Sequence, residues 1–429
     1  MTEAPTFGAM IGIVGGGISG LAVAHHLRAA GAEHVLFEAE ERPGGVMRTE
    51  WVDGVPLDVG PQRTRLTEEV QQLVEWAGLR DQILRADEGL PLWVWRDGRL
   101  RPVPFSVREA FSTDLLSLGG KLRVLLEPFT GGIRNEESVA LFFTRKFGRE
   151  AYENMIGPLY GGLYASDPTR MYARHGLRIT LEHFGVTGSL LLAMLRRGTE
   201  ARRAIETITF QEGLQALPRG LAENDADNVR LGQGVTGVRP RENGGWTLEA
   251  GETSVDVDRV VLSCPSRVAA GLMETVAPGA AERLRGLNEN RLAVVHLRAP
   301  DFRTRGFGFQ VAFGEALEIR GVTWNASIFD RPGIYTCYLG GMKHPELVDW
   351  PDDRIAETAR SEFEMVTRCS ARVLKVSRTY IPAWDMSWDA LVGLELPDGV
   401  YACANWSARP GIPGRAVQAK RLAARLLSA

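Results

Sequence analysis

Residues 10–38, MIGIVGGGISGLAVAHHLRAAGAEHVLFE, contain the pattern that decides the fold. The apolar run at residues 10–14 predicts a buried strand, and residues 34–38 predict a second one. Between the two strands, residues 21–30 have the composition of a helix, which Gly31 ends. This order of strand, glycine-rich turn, helix and strand predicts a βαβ unit and therefore an α/β fold.

The turn after the first strand carries a Gly-x-Gly-x-x-Gly pattern. Gly15 makes the tight turn, Gly17 lets a diphosphate approach the backbone, and Gly20 lets the helix pack on the strand. The diphosphate then lies at the helix N-terminus, where free N–H groups and the helix dipole favour an anion. The other residues that we expect to line it are Gly16, Ile18 and Ser19.

An acidic residue ends the second predicted strand at the distance that a dinucleotide site requires. The carboxylate of Glu38 can accept hydrogen bonds from ribose hydroxyls, and Ala39 follows it directly. Its negative charge disfavours a 2′-phosphate, and hence NADP, at this position. A glycine-rich surface turn would need none of these flanking features, so the sequence predicts a bound dinucleotide.

The residues that follow the acid indicate which dinucleotide binds. The stretch ERPGGVMRTE, residues 41–50, resembles the second fingerprint of glutathione-reductase-like flavoproteins, in which these residues line FAD. Arg42 can meet a phosphate, and Gly44 and Gly45 let the chain pass close to the cofactor. The two signatures in tandem favour FAD over NAD.

Composition and charge exclude several classes of function. The chain has 429 residues, 44% of them hydrophobic, and a formal net charge of -3, so no basic field indicates nucleic acid as a partner. Its four cysteines include no Cys-x-x-Cys pair, which predicts reduced core residues and no metal site. The N-terminus lacks the pattern of a secretory signal, and we expect a cytoplasmic protein.

The rest of the chain alternates between helical and strand-like patterns. We predict a glutathione-reductase-type, Rossmann-like FAD domain formed by residues 1–90, 205–285 and 375–429. Residues 91–204 form a helical insertion, in which residues 105–130 and 186–195 are candidates for membrane docking. Residues 286–374 form an α+β substrate domain with an antiparallel sheet. Near the C-terminus, Gly411 and Pro413 precede a helix whose N-terminus can face the electron-rich edge of a flavin.

Two arginines follow a rigid Gly-Pro step in DVGPQRTR, residues 58–65. Thr67 is placed to cap the helix that comes next, so Arg63 and Arg65 lie at the positive end of its dipole. They are either solvated surface charges or part of an anion site.

Most of the chain resembles the FAD-dependent protoporphyrinogen and coproporphyrinogen oxidases of the flavin amine oxidase superfamily. The resemblance rests on residues 14–31 and 42–50, on GGLYASDP at 161–168, FQEGLQALP at 210–218, GFGFQV at 306–311, RGVTWNASIF at 320–329 and YACANWSARPGIP at 401–413. It implies that FAD takes hydrides from a porphyrinogen, that dioxygen reoxidises the flavin, and that the peroxide is released. A homodimer and a peripheral membrane contact are open possibilities.

The resemblance also implies roles for residues outside the nucleotide motif. Arg65 would pair with a propionate of the tetrapyrrole, Phe307 would stack on the substrate, and Gly308 would leave room at the reacting carbon. Further cofactor contacts would come from Gly60, Pro61, Gln62, Val235, Trp384, Asn405, Gly411, Ile412 and Pro413.

The chain departs from the family pattern near its C-terminus. Ala404, Arg409 and Gly414 occupy positions that are usually Gly, Gly and Asp, and the segment before the last strand is shorter than usual. Two alternatives therefore stay open. One is another flavin oxidase or desaturase that acts on an amine, an isoprenoid or a specialised metabolite, and the other is an FAD-binding protein without turnover.

Overall fold

The computed structural model describes residues 9–183, 185–186, 188–197 and 205–428. The expectation of a leaderless N-terminus concerns residues 1–8, which lie outside these ranges. Residues 198–204 of the predicted helical insertion also lie outside them.

A parallel five-stranded sheet contains the predicted βαβ unit. Its strands are, in spatial order, Val229–Arg230, His34–Phe37, Ile11–Val14, Arg259–Leu262 and Val400–Ala402. The central strand is buried at every residue, as expected for a parallel sheet that is covered on both faces. The sheet therefore combines segments from both ends and from the middle of the chain.

The first helix runs over Ile18–Ala29 and begins three residues earlier than its composition predicts. The last part of the glycine pattern is helical, because Gly17 already occupies the N-cap position. The turn residues and the first helical turn are thus one continuous structure.

Smaller sheets extend this part of the molecule. Antiparallel strands Val235–Pro240, Trp246–Ala250 and Thr253–Val257 form a meander, and the predicted Gly244-Gly245 turn joins the first two. A hairpin is formed by Thr49–Val52 and Val55–Asp58. A three-stranded sheet is formed by Thr64–Arg65, Thr207–Phe210 and Ile83–Arg85.

A mixed seven-stranded sheet forms the second layer. Its order is Arg372–Pro382, Glu289–Arg298, Ile334–Gly340, Ile319–Thr323, Gly308–Val311, Leu92–Arg96 and Arg99–Pro102. The prediction of a purely antiparallel sheet is wrong at one pairing, because Gly308–Val311 runs parallel to Leu92–Arg96.

The sheet pairing also differs from two predicted domain boundaries. The hairpin of Leu92–Arg96 and Arg99–Pro102 falls in the predicted helical insertion, yet it pairs with the substrate sheet. Strand Arg372–Pro382 crosses the boundary predicted at residue 375 and pairs along its length with Glu289–Arg298. Both differences arise from pairings between segments that are distant in sequence.

Helices cover the two sheets, and they are the main elements in the described part of residues 107–197. They are Glu68–Trp76, Val107–Ser112, Leu118–Leu125, Val139–Phe147, Arg149–Ala151, Gly157–Tyr164, Gly176–His183, Leu190–Arg197, Ala216–Glu223, Ser266–Met273, Pro278–Arg285, Asn325–Ile328, Asp352–Thr367 and Ile412–Ser428. Helix Asp352–Thr367 packs on one face of the seven-stranded sheet, where Tyr335, Cys337 and Leu339 are buried. Because side chains alternate along a strand, Thr336 and Tyr338 lie on the other face.

A buried histidine in the parallel sheet is hydrogen-bonded to a buried acid. The Nε2 atom of His34 lies 2.8 Å from Oδ2 of Asp225, and Nδ1 lies 3.0 Å from the carbonyl oxygen of Ala32. Burial lowers the pKa of His34, but these two acceptors outweigh it and raise the pKa above its ordinary value. The doubly protonated ring is therefore favoured in the folded state, because it can donate to both oxygens.

We expect the free energy of unfolding to fall as the pH rises from about 6.5 through the folded-state pKa of His34. The charged ring contributes its full stabilisation below the unfolded pKa and loses it above the folded one. Urea unfolding between pH 5.5 and 8.5 measures this slope for the wild type and for His34→Gln, in which it should be smaller. His344→Gln changes a histidine that is only half-buried and serves as the control, and an unchanged slope in His34→Gln would contradict the assignment.

Candidate cofactor and substrate site

The glycine turn is built by close backbone contacts. Gly15 has a φ of 113°, which side-chain-bearing residues rarely adopt. A Cβ on Gly20 would lie 2.1 Å from the carbonyl oxygen of Gly15, whereas a Cβ on Gly17 would meet no protein atom within 4 Å. The helix that begins here has no side-chain N-cap and no acidic residue in its first turn. Its first N–H groups therefore face a space that suits an anion.

Glu38 lies beside this turn, directly after strand His34–Phe37. Its Oε2 accepts a hydrogen bond from the Gly16 amide at 2.7 Å, and its Oε1 accepts one from the Glu40 amide at 2.9 Å. The Gln233 amide donates to the Glu38 carbonyl at 2.8 Å, so Val235 begins its strand close to the same edge. Ala39 is exposed here. The carboxylate is thus held at the end of the strand, where a ribose is expected.

The second fingerprint packs against the first. The Gly44 amide donates to the Gly16 carbonyl at 2.9 Å, and Arg42 donates from Nη1 to the Gly45 carbonyl at 3.2 Å. Positive φ values of 114° and 55° at Gly44 and Gly45 permit this approach. Arg42 keeps part of its guanidinium exposed while it pairs with Glu40 at 2.8 Å. These contacts bring a cation and two glycines beside the helix N-terminus.

The Gly60-Pro61-Gln62 segment connects the two layers. A Cβ on Gly60 would lie 1.9 Å from the Val46 carbonyl oxygen, so only glycine fits there. The buried Gln62 side chain accepts hydrogen bonds from Asn325 at 3.0 Å and from Thr336 at 3.2 Å. Its side chain therefore joins this loop to the seven-stranded sheet, a role that the sequence did not predict.

The C-terminal loop ends at the long helix. Gly411 has a φ of 88°, Ile412 is buried, and Pro413 occupies the first turn of helix Ile412–Ser428. Asn405 lies in the turn that precedes them and is half-buried. Trp384 is buried against Trp388, with ring centroids 5.1 Å apart. The structure thus packs Trp384 in the core, and its contact with a flavin stays a prediction.

Phe307 and Gly308 lie where Gly308–Val311 enters the seven-stranded sheet. A Cβ on Gly308 would lie 1.9 Å from the Val322 carbonyl oxygen, and its φ is 135°. Contact with the neighbouring strand therefore already requires glycine at position 308, and the predicted role of Gly308 at the reacting carbon is not needed to explain it. Phe307 is half-buried and packs near Leu90 and Ile328.

The two arginines of DVGPQRTR have different surroundings. Arg65 is nearly half exposed, and its Nη1 donates to Glu88 at 3.0 Å, to the Ile205 carbonyl at 2.7 Å and to Thr207 at 2.9 Å. Arg65, which the resemblance predicts to bind a propionate, is thus already paired with a carboxylate of the protein. Arg63 instead lies over the ring of Phe307, with its Cζ atom 5.6 Å from the ring centroid.

A polar face of the seven-stranded sheet adjoins Arg63, and sequence reasoning missed it. Tyr338 and Gln310 lie on neighbouring parts of this face, and a Cβ on Gly162 would meet the Gln310 side chain at 2.5 Å. Burial raises the pKa of Tyr338 to about 12, so its hydroxyl stays protonated. Helix Gly157–Tyr164 covers this face closely because glycines line its inner side. The signal was present in the alternation of polar and apolar residues along Ile334–Gly340.

The residues present fit an FAD molecule. A helix N-terminus without a side-chain cap, the carboxylate of Glu38, two glycine turns and an arginine adjoin one another at one edge of a parallel sheet. These features define a dinucleotide-binding oxidoreductase of the two-layer flavoprotein class.

Comparison with known proteins assigns the family. The family model for flavin containing amine oxidoreductase matches residues 18–388. Protoporphyrinogen oxidase 1 of Arabidopsis thaliana is 30% identical over 80% of this chain and 72% of its own length. Coproporphyrinogen III oxidase of Bacillus subtilis is 25% identical, over 82% of each chain.

Solved structures show the same fold. A protein from Exiguobacterium sp. 255-15, provisionally assigned as a protoporphyrinogen oxidase, superposes with a TM-score of 0.79 at 20% identity, over 98% of this chain and 99% of its own. Cyclohexylamine oxidase from Brevibacterium oxydans superposes with a TM-score of 0.71 at 16% identity, over 98% and 99%. The chain belongs to the flavin-containing amine oxidoreductases, within their protoporphyrinogen and coproporphyrinogen oxidase family, and is an FAD-dependent oxidoreductase.

Proposed function

We propose that this chain oxidises a porphyrinogen, either protoporphyrinogen IX or coproporphyrinogen III, to the porphyrin in haem biosynthesis, with dioxygen as the electron acceptor. The observation that carries the proposal is the similarity along about four fifths of the chain to proteins named for these two reactions. The polar sheet face beside Arg63 and Phe307 supports it, since it offers a flat substrate both an aromatic contact and a cation.

The balance of the reaction is simple. Each round removes one hydride and one proton from the substrate, and bound FAD supplies the two-electron acceptor. One dioxygen is reduced to hydrogen peroxide in each round, and three rounds convert the porphyrinogen to the porphyrin.

The residues of the chain bind and orient the reactants. The helix that begins at Ile18 and the carboxylate of Glu38 would hold the ADP half of FAD, with Arg42 beside the diphosphate. Arg63 and the ring of Phe307, beside the polar face of the seven-stranded sheet, would contact and orient the substrate. In this arrangement no protein side chain has to act as a nucleophile.

An amine substrate fits this site less well than a carboxylate-bearing one. Arg63 stays a cation, and a protonated amine beside it would be repelled at short range. An isoprenoid would leave the same cation without a partner in an apolar environment. The charge of Arg63 therefore favours the porphyrinogen over an amine or an isoprenoid.

Anaerobic reduction tests the proposal. Purified holoprotein is mixed with coproporphyrinogen III and, separately, with protoporphyrinogen IX, while the flavin absorbance is followed. We expect bleaching with one of them and recovery in air as porphyrin fluorescence appears. A flavin that dithionite reduces but neither porphyrinogen bleaches would refute the proposed function.

We also propose a peripheral membrane contact through exposed apolar residues of the helical insertion. Leu118, Leu122 and Phe129 are 81%, 65% and 86% exposed, and the first two share one face of helix Leu118–Leu125. Among the described residues, no helix has the length and hydropathy needed to cross a bilayer.

Co-sedimentation with liposomes tests the membrane contact. We expect the wild type to sediment with vesicles and Leu122→Glu to bind them several-fold less, because a charge opposes insertion of this face. Leu427→Glu alters another exposed leucine, on the C-terminal helix, and serves as the control. Equal sedimentation of all three proteins would show that this surface does not bind the membrane.

A further inference from the structure

Arg63 is a half-buried cation without a partner in the described part of the chain. Its guanidinium makes no hydrogen bond or ion pair with a described residue, and its side-chain contact is with the ring of Phe307. Glu88 is the acid near it, but that carboxylate is bound to Arg65 at 3.0 Å and to the Thr207 amide at 2.8 Å. A cation that is partly withdrawn from water and has no counter-charge is unfavourable, which suggests that it binds a ligand.

The surroundings of Arg63 restrict that ligand. Burial lowers the pKa of Arg63, and its neighbours are the aromatic ring of Phe307 and the protonated hydroxyl of Tyr338. Thr323 lies on the adjoining strand, where it is paired with Gly308. The cation thus sits between an apolar surface and a hydrogen-bonding one, which matches a carboxylate carried by a flat, apolar molecule.

The structural contacts of this segment are made by Arg65, and Arg63 takes no part in them. Arg65 already connects strand Thr64–Arg65 to Glu88 and Thr207. Arg63 lies just before this strand, and its contact with the ring of Phe307 differs from the contacts of Arg65. Arg65 therefore has a structural role, whereas Arg63 is free to bind a ligand.

We propose that Arg63, and not Arg65, is the residue that binds a carboxylate of the substrate and so sets the specificity of this oxidase for acidic substrates. The inference rests on the proposed function, since it names the group that would hold a porphyrinogen propionate. Phe307 then contacts the ring system of the same molecule.

Binding of the non-reacting product isolates this role. Coproporphyrin III, which cannot reduce the flavin, is titrated calorimetrically into air-oxidised holoenzyme, in parallel with its neutral tetramethyl ester. We expect Arg63→Gln to weaken binding of the acid by about 100-fold and to leave binding of the ester unchanged. Arg65→Gln, at a paired and more exposed position, should change the affinity for the acid by less than about threefold.

Flavin content and melting temperature show whether each variant is folded. If Arg63→Gln loses its flavin, Arg63→Lys replaces it as the test, since it retains the charge and should retain the preference for the acid over the ester. A folded Arg63→Gln that binds the acid like the wild type would overturn the proposal. A folded Arg63→Lys without any preference for the acid would do the same.

The failure of the proposed function can be distinguished from the failure of this inference. If the wild type neither turns over a porphyrinogen nor binds a porphyrin, the porphyrinogen assignment fails. Carboxylate binding by Arg63 (the anchor) is then tested with naphthalene-2-carboxylate and its amide, through the change in flavin absorbance on binding. A preference for the carboxylate that Arg63→Gln abolishes supports the anchor, and its absence in the wild type refutes it.

Discussion

Replacing Gly17 with alanine is expected to give a folded apoprotein that has lost most of its affinity for FAD. Gly17 has φ and ψ values of -70° and 171°, which alanine adopts without strain, and a Cβ there would meet no protein atom within 4 Å. The added methyl group would instead occupy the approach to the helix N-terminus. We expect affinity to fall by about 100-fold, or about 2.7 kcal/mol, because the diphosphate has to reach those N–H groups.

Gly20→Ala is the matched control, because its methyl group would meet protein instead of cofactor. The Cβ would lie 2.1 Å from the Gly15 carbonyl oxygen, so helix and strand would have to separate. This variant should lose stability and FAD together, whereas Gly17→Ala should lose FAD alone. Thermal melts of the two apoproteins and fluorescence titrations with FAD measure both quantities. Tight FAD binding by Gly17→Ala would contradict the placement of the diphosphate.

The nucleotide motif was predictable because its physical requirements are local. The strand, the turn and the helix follow one another within residues 11–29, and the contact that requires glycine at position 20 is with the Gly15 carbonyl, five residues earlier. The family resemblance added the cofactor and the substrate class. The N-cap at Thr67 was equally local, and its side chain accepts from the Val70 amide as expected.

The roles of the two arginines were not predictable, because their partners are distant in sequence. Arg65 meets Glu88 and Thr207, which lie 23 and 142 residues further along the chain. Only the assembly of Thr64–Arg65 with Thr207–Phe210 brings these groups together. The parallel pairing of Gly308–Val311 with Leu92–Arg96 was missed for the same reason, since neither segment contains a local signal for it.

A fully buried ion pair in the helical insertion provides the second large expected effect. Nζ of Lys146 lies 2.8 Å from Oε1 of Glu127, and the two side chains are 1% and 0% exposed. Glu127 also accepts hydrogen bonds from the amides of Leu190 and Leu191 at 3.0 and 3.2 Å and from the Ser189 hydroxyl. One carboxylate therefore holds the start of helix Leu190–Arg197 against helix Val139–Phe147.

Glu127→Gln should destabilise the folded protein by about 3–5 kcal/mol, because it leaves the Lys146 ammonium buried without a counter-charge. Urea unfolding measures the loss. Glu153→Gln removes one member of an exposed pair with Arg149 and should cost much less, because solvent screens this pair. The double variant Glu127→Gln, Lys146→Met should recover part of the stability, since it removes the unpaired charge. A loss in Glu127→Gln as small as that in Glu153→Gln would show that the pair does not stabilise the fold.

The same pair predicts a dependence on acid pH. Burial by itself raises the pKa of Glu127, but the hydrogen bonds from Lys146, Ser189 and the Leu190 amide outweigh it and lower the pKa below its ordinary value. A carboxyl group with a lowered folded-state pKa contributes stability above its unfolded pKa of about 4.3 and loses it as the pH falls through the folded value. The stability of the wild type should therefore fall more steeply below about pH 4.3 than that of Glu127→Gln. Parallel slopes would show that folding does not lower the pKa of Glu127, and would contradict this assignment.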